Sequence, residues 1–160
     1  MKVLRVHGSS KRYIHSEIGM NSRLDNIQAA VLRVKLKYLN SWAKKRQENA
    51  AAYNDLFNGK NVITPYVPSY NTHVYHQYTI RVDRSKRDAL IDHLAENGIE
   101  ARVYYPIPLH LQECYKFLGY KKGDMPNSEA VSESILALPV YPELKKEDIE
   151  GIVKVISDFK

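Results

Sequence analysis

Residues 18–57 read IGMNSRLDNIQAAVLRVKLKYLNSWAKKRQENAAAYNDLF, and from Leu24 onward apolar side chains return at steps of three and four. Leu24, Ile27, Val31, Val34, Tyr38, Trp42, Ala50, Tyr53 and Leu56 fall on one stripe, with Arg46 its polar member. That spacing predicts a single amphipathic helix. Ser22 can cap its start, with Asp25 three residues on, and Asn58-Gly59 supplies residues that tolerate left-handed backbone at its end. A helix over residues 23–57 has 35 residues and a length of about 52 Å. A compact chain of this size has a radius of gyration of about 15 Å and so a diameter of about 40 Å. The helix is expected to overhang, its apolar stripe resting on another subunit or another domain.

Downstream the pattern changes. In VYHQYTIRV, residues 74–82, Val74, His76, Tyr78, Ile80 and Val82 alternate with Tyr75, Gln77, Thr79 and Arg81, which predicts a strand with the first set buried. Residues 85–97 place Leu90, Ile91 and Leu94 on one helical face, and Gly98 stops that helix. Residues 99–105 read as a second strand, residues 128–134 as a short helix, and ILALPVYP, residues 135–142, as a third extended piece. A last amphipathic helix carries Ile149, Ile152, Val153, Ile156 and Phe159. The fold class is α+β: a long N-terminal helix followed by a small sheet with packed helices. We divide the chain into residues 1–60, a loop and the long helix, and residues 61–160, a small α/β domain, within one structural unit.

Composition sets the outer bounds. The 160 residues are 44% hydrophobic and 26% charged, the balance of a globular domain with a core of its own. The single cysteine, Cys114, has no partner for an intrachain disulfide, and no Cys/His set has structural-zinc spacing. His73 and His76 are three apart on a strand and face opposite ways, so they are no metal pair. No apolar run approaches the roughly 20 residues that cross a bilayer, and no signal-peptide stretch opens the chain, so a cytoplasmic protein is expected. Residues 1–60 hold 12 Lys and Arg against 4 Asp and Glu, whereas residues 61–160 hold 12 against 14. A basic leading segment suits an anionic partner there or a solvated basic helix face. Nucleic acid is not that partner, because no recognition motif is present and the aromatics do not interleave with the basic residues.

Two constellations carry chemistry. Gly19, Asn21, Ser22 and Arg23 stand just before the long helix, where backbone N–H groups, a positive dipole end and Asn and Arg donors together outline a phosphate or carboxylate site. The alternative is that Asn21 and Ser22 only cap the helix and Arg23 is solvated. The second is YYPIPLH, residues 104–110, where Pro106 and Pro108 stiffen a turn that carries Tyr104, Tyr105 and His110. Hydroxyls and an imidazole on a stiff turn suit a sugar or nucleotide; equally, the tyrosines complete a core and His110 caps a turn. Twelve tyrosines against three phenylalanines favour rings with a polar tip.

Five segments in order, HGSSKRYIHSEIGMNSRLDNIQAAVLRVKL, HVYHQYTIRV, RDALIDHLAENGIEARVYYPIPLHLQ, LGYKKGDMPNSEAVSESILALPVYPEL and the final helix, resemble the C-terminal half of the DegT/DnrJ/StrS-type aminotransferases. The resemblance implies the small C-terminal domain of a fold type I aminotransferase, and pyridoxal phosphate as cofactor. It implies a homodimer, or association with a lysine-bearing N-terminal domain. Nucleotide-linked keto-sugars and glutamate would be the substrates, in amino-sugar and polysaccharide biosynthesis. It implies that Asn21 holds the cofactor phosphate of the neighbouring subunit, with Ser22 and Arg23 beside it. Tyr13, His15, Tyr104, Tyr105 and His110 would then line the substrate side. Family members carry the lysine that bonds the cofactor, an acidic partner of the pyridine nitrogen and a stacking ring in a preceding domain, and Lys11 in GSSKRY does not match that lysine's pattern. The 160 residues alone are therefore expected to hold no catalytic residue, to bind the cofactor weakly or not at all, and not to transaminate. A non-catalytic interaction or regulatory protein that keeps the fold is the second expectation.

Overall fold

The computed structural model describes residues 1–159. The chain divides into two compact units, Met1–Asn40 and Ser41–Lys160. The boundary falls near residue 40 and not at residue 60. The reason is packing: Ala50, Tyr53 and Phe57 belong to the hydrophobic core of the C-terminal unit.

In the first unit a hairpin pairs β1 (Ser9–Lys11) with β2 (Ile14–His15) antiparallel, Ser9 opposite His15 and Lys11 opposite Ile14. The chain then returns past the N-terminal turn and enters α1 (Asn26–Leu36). Helix α2 (Leu39–Phe57) follows, so the expected single helix is two. At the break the Lys37 and Tyr38 amides donate to Val34 and Lys35, three residues back rather than four. Tightening of this kind ends a helix without Gly or Pro. The start differs too: Asp25, not Ser22, precedes the first helical residue, and its side chain makes no capping bond. The stop is as expected, with Gly59 at φ 74° and the Lys60 amide closing on Phe57.

Arg46, the polar member of the apolar stripe, has a structural explanation. Its Nη1 donates to the carbonyls of Tyr75 and Val140, while neighbouring Gln47 and Asn49 donate to those of His73 and Tyr141. Tyr53 adds a hydroxyl bond to Pro139. One helix face thereby satisfies two irregular segments whose carbonyls have no sheet partner.

The sheet of the second unit is small. β3 (Tyr78–Arg81) pairs antiparallel with β4 (Ile135–Leu138), Tyr78 opposite Leu138 and Ile80 opposite Leu136. Single bridges extend it, Ile63 to Arg81 on one side and Arg102 to Ala137 on the other. The strand expected over residues 99–105 is thus reduced to one bridge. The strand expected over residues 74–82 begins only at Tyr78, and upstream of it the alternation reverses: Tyr75, at φ 48°, is buried and His76 is exposed. His73 accepts the Tyr75 amide at its Nδ1, 2.9 Å away.

Helices α3 (Arg87–Glu96), α4 (Pro126–Ser134) and α5 (Lys146–Asp158) complete the unit. Leu90 and Leu94 of α3 and Ile149, Ile152, Val153 and Ile156 of α5 meet Tyr78, Ile80, Leu136 and Leu138 in one core. There Tyr53 stacks on Tyr78 with centroids 4.7 Å apart. Each such large side chain, taken fully from water, contributes about 1.5–3 kcal/mol.

Candidate functional site

The expected site residues fall into two groups, one in each unit. Tyr13, His15, Asn21, Ser22 and Arg23 belong to the N-terminal loop, and Tyr104, Tyr105 and His110 to a turn of the C-terminal unit.

The N-terminal loop is held by backbone. Residues 16–22 form a strap whose Ser16 and Met20 amides donate to Gly8 and Leu4, at 2.9 Å each. In return His7 donates to Met20 at 3.0 Å, and Ser22 to Arg5 at 2.9 Å. Two glycines allow the strap to lie so close. A Cβ on Gly19 would sit 2.2 Å from the Gly8 nitrogen and 2.5 Å from the Leu4 oxygen, and one on Gly8 would sit 1.7 Å from the Glu17 oxygen. Gly8 also has φ 71°. No side chain larger than hydrogen fits at either position. Asn21 lies within this strap, in a bridge with Val6.

Arg23 donates from Nε to the Asn21 Oδ1 at 3.0 Å. This bond occupies the amide's acceptor oxygen and leaves the Asn21 NH2 and the Arg23 Nη groups as donors, both side chains being exposed. Ser22 is placed differently from expectation. Its amide is spent on Arg5, so what it offers a ligand is its hydroxyl, and the helix start lies farther on, at Asn26. Nearby, His15 bonds through Nδ1 to the His7 carbonyl at 2.8 Å. Tyr13 is 80% exposed and carries the Arg12 guanidinium 5.0 Å above its ring. The loop is cationic: residues 1–25 hold five Lys and Arg against two Asp and Glu. Amide, guanidinium and hydroxyl donors in a cationic loop are the donor set that a phosphate dianion accepts. They fit the phosphate end of pyridoxal phosphate.

In the C-terminal unit Tyr104 and Tyr105 are joined by a cis peptide bond and pack edge to face at 5.9 Å. Tyr105 is the more exposed, at 72% against 37%. His110 turns inward: its Nε2 lies 3.0 Å from Oε1 of Glu129, and both side chains are nearly buried. Glu129 is the residue that sequence reasoning passed over. Its carboxylate also accepts the amides of Gly123, at 2.9 Å, and Met125, at 3.2 Å. Desolvation pushes its pKa up, but the two amides and His110 outweigh this and hold the carboxyl below its ordinary value. A Glu three residues after Pro126, the first helical position, is the signal that could have found it, since acidic side chains there reach back to orphan amides. Among the described residues no cluster of His, Cys, Asp and Glu could hold a metal ion.

A small-sheet domain packed with helices and an N-terminal loop of anion donors are parts from which a fold type I aminotransferase is assembled. The chain belongs to the DegT/DnrJ/EryC1/StrS aminotransferase family, whose pattern matches residues 1–157. It is 46% identical, over 99% of its length and 43% of the relative's, to a protein of Geobacillus stearothermophilus named a pleiotropic regulatory protein. It is 35% identical, over 99% of its length and 43% of the relative's, to the dTDP-3-amino-3,6-dideoxy-alpha-D-galactopyranose transaminase of Aneurinibacillus thermoaerophilus. Among solved structures, DesV of Streptomyces venezuelae, crystallised in complex with a ketimine intermediate, superimposes with a TM-score of 0.89 at 34% identity. The match covers 98% of this chain and 42% of that one. The chain thus spans less than half the length of the curated relatives it matches.

Proposed function

We propose that this chain forms the C-terminal part of a pyridoxal-phosphate-dependent aminotransferase that moves an amino group from glutamate to a nucleotide-linked keto-sugar. The observation that carries this reading is the match over nearly the whole chain to relatives named as dTDP-sugar transaminases. A relative named as a UDP-sugar aminotransferase, 37% identical over 98% of the chain, belongs to the same set. The proposal includes a homodimer in the cytoplasm. Among the described residues no helix is long and apolar enough to cross a membrane.

When bound, the cofactor supplies the electron sink for amino transfer. This chain's part is to bind and orient. The Asn21 NH2, fixed by the Arg23 bond to its oxygen, donates to the cofactor phosphate across the dimer, and the Arg23 guanidinium and Ser22 hydroxyl add donors beside it. Gly8 and Gly19 let the strap that carries Asn21 lie against residues 4–8. Tyr13 and His15 on the hairpin, and Tyr104 and Tyr105 on the proline-stiffened turn, contact the nucleotide-sugar, whereas His110, expected among them, is turned inward onto Glu129. Tyr105 offers the most accessible ring and hydroxyl of the turn.

Asn21→Ala tests the phosphate role in the protein that carries the lysine domain. Losing one charge-assisted hydrogen bond should weaken cofactor binding by about 10- to 100-fold. A stability loss with an unchanged cofactor dissociation constant would remove Asn21 from the site.

A second reading has one observation in its favour, the 46% identical relative named a regulatory protein. On that reading the fold serves interaction rather than catalysis, and the protein shows no amino transfer with any nucleotide-linked keto-sugar.

A further inference from the structure

The turn that bears Tyr104, Tyr105 and His110 has little regular structure of its own. Its only internal backbone bonds of note are the Leu111 and Gln112 amides donating to Pro108 and Leu109. Residues 119–125 are likewise irregular, with Gly119 at φ 78° and Gly123 at φ 100°. A short irregular segment of either kind is mobile unless something outside it supplies partners. Both segments meet the same side chain. The Glu129 carboxylate, on the first turn of α4, takes the His110 ring from one segment and the Gly123 and Met125 amides from the other.

We propose that Glu129 is a positioning residue, a clasp that fixes the 104–112 turn to the 119–125 loop and sets the tautomer of His110. An ionised carboxylate is acceptor-only, so the Nε2 facing it carries the proton. The clasp stands on this geometry alone and does not rest on the aminotransferase reading above. The geometry is that of a buried charge with every contact satisfied: two amides and one ring N–H on two oxygens, with the side chains 8% and 10% exposed. An uncompensated carboxylate would not remain there. Tyr120, from the loop being clasped, closes over the His110 ring edge to face at 6.3 Å.

The test uses the chain as it stands, with amide hydrogen exchange and the 15N spectrum of the His110 ring as readouts. Glu129→Gln should speed exchange at Gly123 and Met125 by about 10- to 100-fold, as loss of hydrogen bonds to a charged group implies. It should also speed exchange at Leu111 and Gln112, and the ring should leave the single Nε2–H tautomer. The β3 and β4 amides should be unaffected. His110→Gln is the second variant: it should loosen Leu111 and Gln112 while Gly123 and Met125 stay protected. If Glu129→Gln loosens residues 119–125 but leaves both the 104–112 amides and the ring tautomer as they were, Glu129 is only a helix cap and the proposal fails. Binding of a dTDP- or UDP-linked hexose by the same variants in the protein carrying the lysine domain reports separately on the turn's substrate role. Absence of binding by the unsubstituted protein would sink that role and leave the clasp standing.

Discussion

Gly19→Ala should displace the anion donors without touching them. Gly19 does not have a positive φ, so alanine is not disfavoured by its own backbone conformation and the whole effect comes from the close approach. The new methyl would start 2.2 Å from the Gly8 nitrogen and 2.5 Å from the Leu4 oxygen. Ordinary carbon contacts begin near 3.4–3.5 Å, so the strap must retreat by roughly 1 Å. Its bonds from Met20 to Leu4, from His7 to Met20 and from Ser22 to Arg5 are 2.9–3.0 Å long. Lengthened by about 1 Å they cease to be hydrogen bonds. At about 1 kcal/mol each, the loop loses on the order of 3 kcal/mol of local stability. Asn21, between Met20 and Ser22, moves with the strap, and a misplacement of about 1 Å in a binding constellation can cost on the order of 100-fold. The assay is cofactor affinity in the protein with its lysine domain, run beside hydrogen exchange of the Met20 and Ser22 amides. Gly59→Ala is the control, because it is strained by φ 74° yet meets no atom within 4 Å. It should lower stability by about 1 kcal/mol and leave cofactor affinity alone. Unchanged affinity and exchange in Gly19→Ala would refute the close-approach argument.

Three further outcomes are expected. Gly151, in the middle of α5 with no positive φ and open space around its added Cβ, should accept alanine and stabilise the chain by about 0.5–1 kcal/mol, read as a higher urea midpoint. Burial raises the pKa of Tyr53 and Tyr78 well above the ordinary tyrosine value of 10.0. The stability tied to those protons is therefore fully present below that pH and is lost as pH rises beyond it. Tyr53→Phe combined with Tyr78→Phe should flatten the alkaline limb of a stability–pH profile. The 160-residue chain incubated with pyridoxal phosphate should yield no specifically labelled lysine after borohydride reduction; one stoichiometrically labelled lysine would overturn the expectation that it lacks the covalent anchor.

What the sequence made legible was decided by how local the physics is. The α5 stripe of Ile149, Ile152, Val153 and Ile156 was readable because helical periodicity alone fixes it, and all four are buried. The break after Leu36 was not, because nothing at Lys37-Tyr38 is a helix breaker and the two helices belong to different units. His76 was assigned to the core by extending a true alternation too far upstream, past the left-handed Tyr75 that reverses it. The anion loop was legible as residue types, Asn21 and Arg23, but not as geometry. The Arg23–Asn21 bond is local, two residues apart, but the glycine contact that seats the strap sets Gly19 against Leu4 and Gly8, residues distant in sequence. Glu129 was legible only as an acid in the first turn of a helix opened by Pro126, and not as a partner of His110, which lies 19 residues away.

The central claim is that these residues serve amino transfer to nucleotide-linked sugars, with Asn21 acting in the partner's site. It is tested most directly by mixing Asn21→Ala subunits with subunits lacking the cofactor lysine, in the protein that carries both domains, and assaying transfer from glutamate to a dTDP- or UDP-linked keto-sugar. Each parent should be impaired, and the mixture should recover activity, because one site of each mixed dimer keeps both groups. No activity in the unsubstituted protein, or no recovery on mixing, would contradict the account.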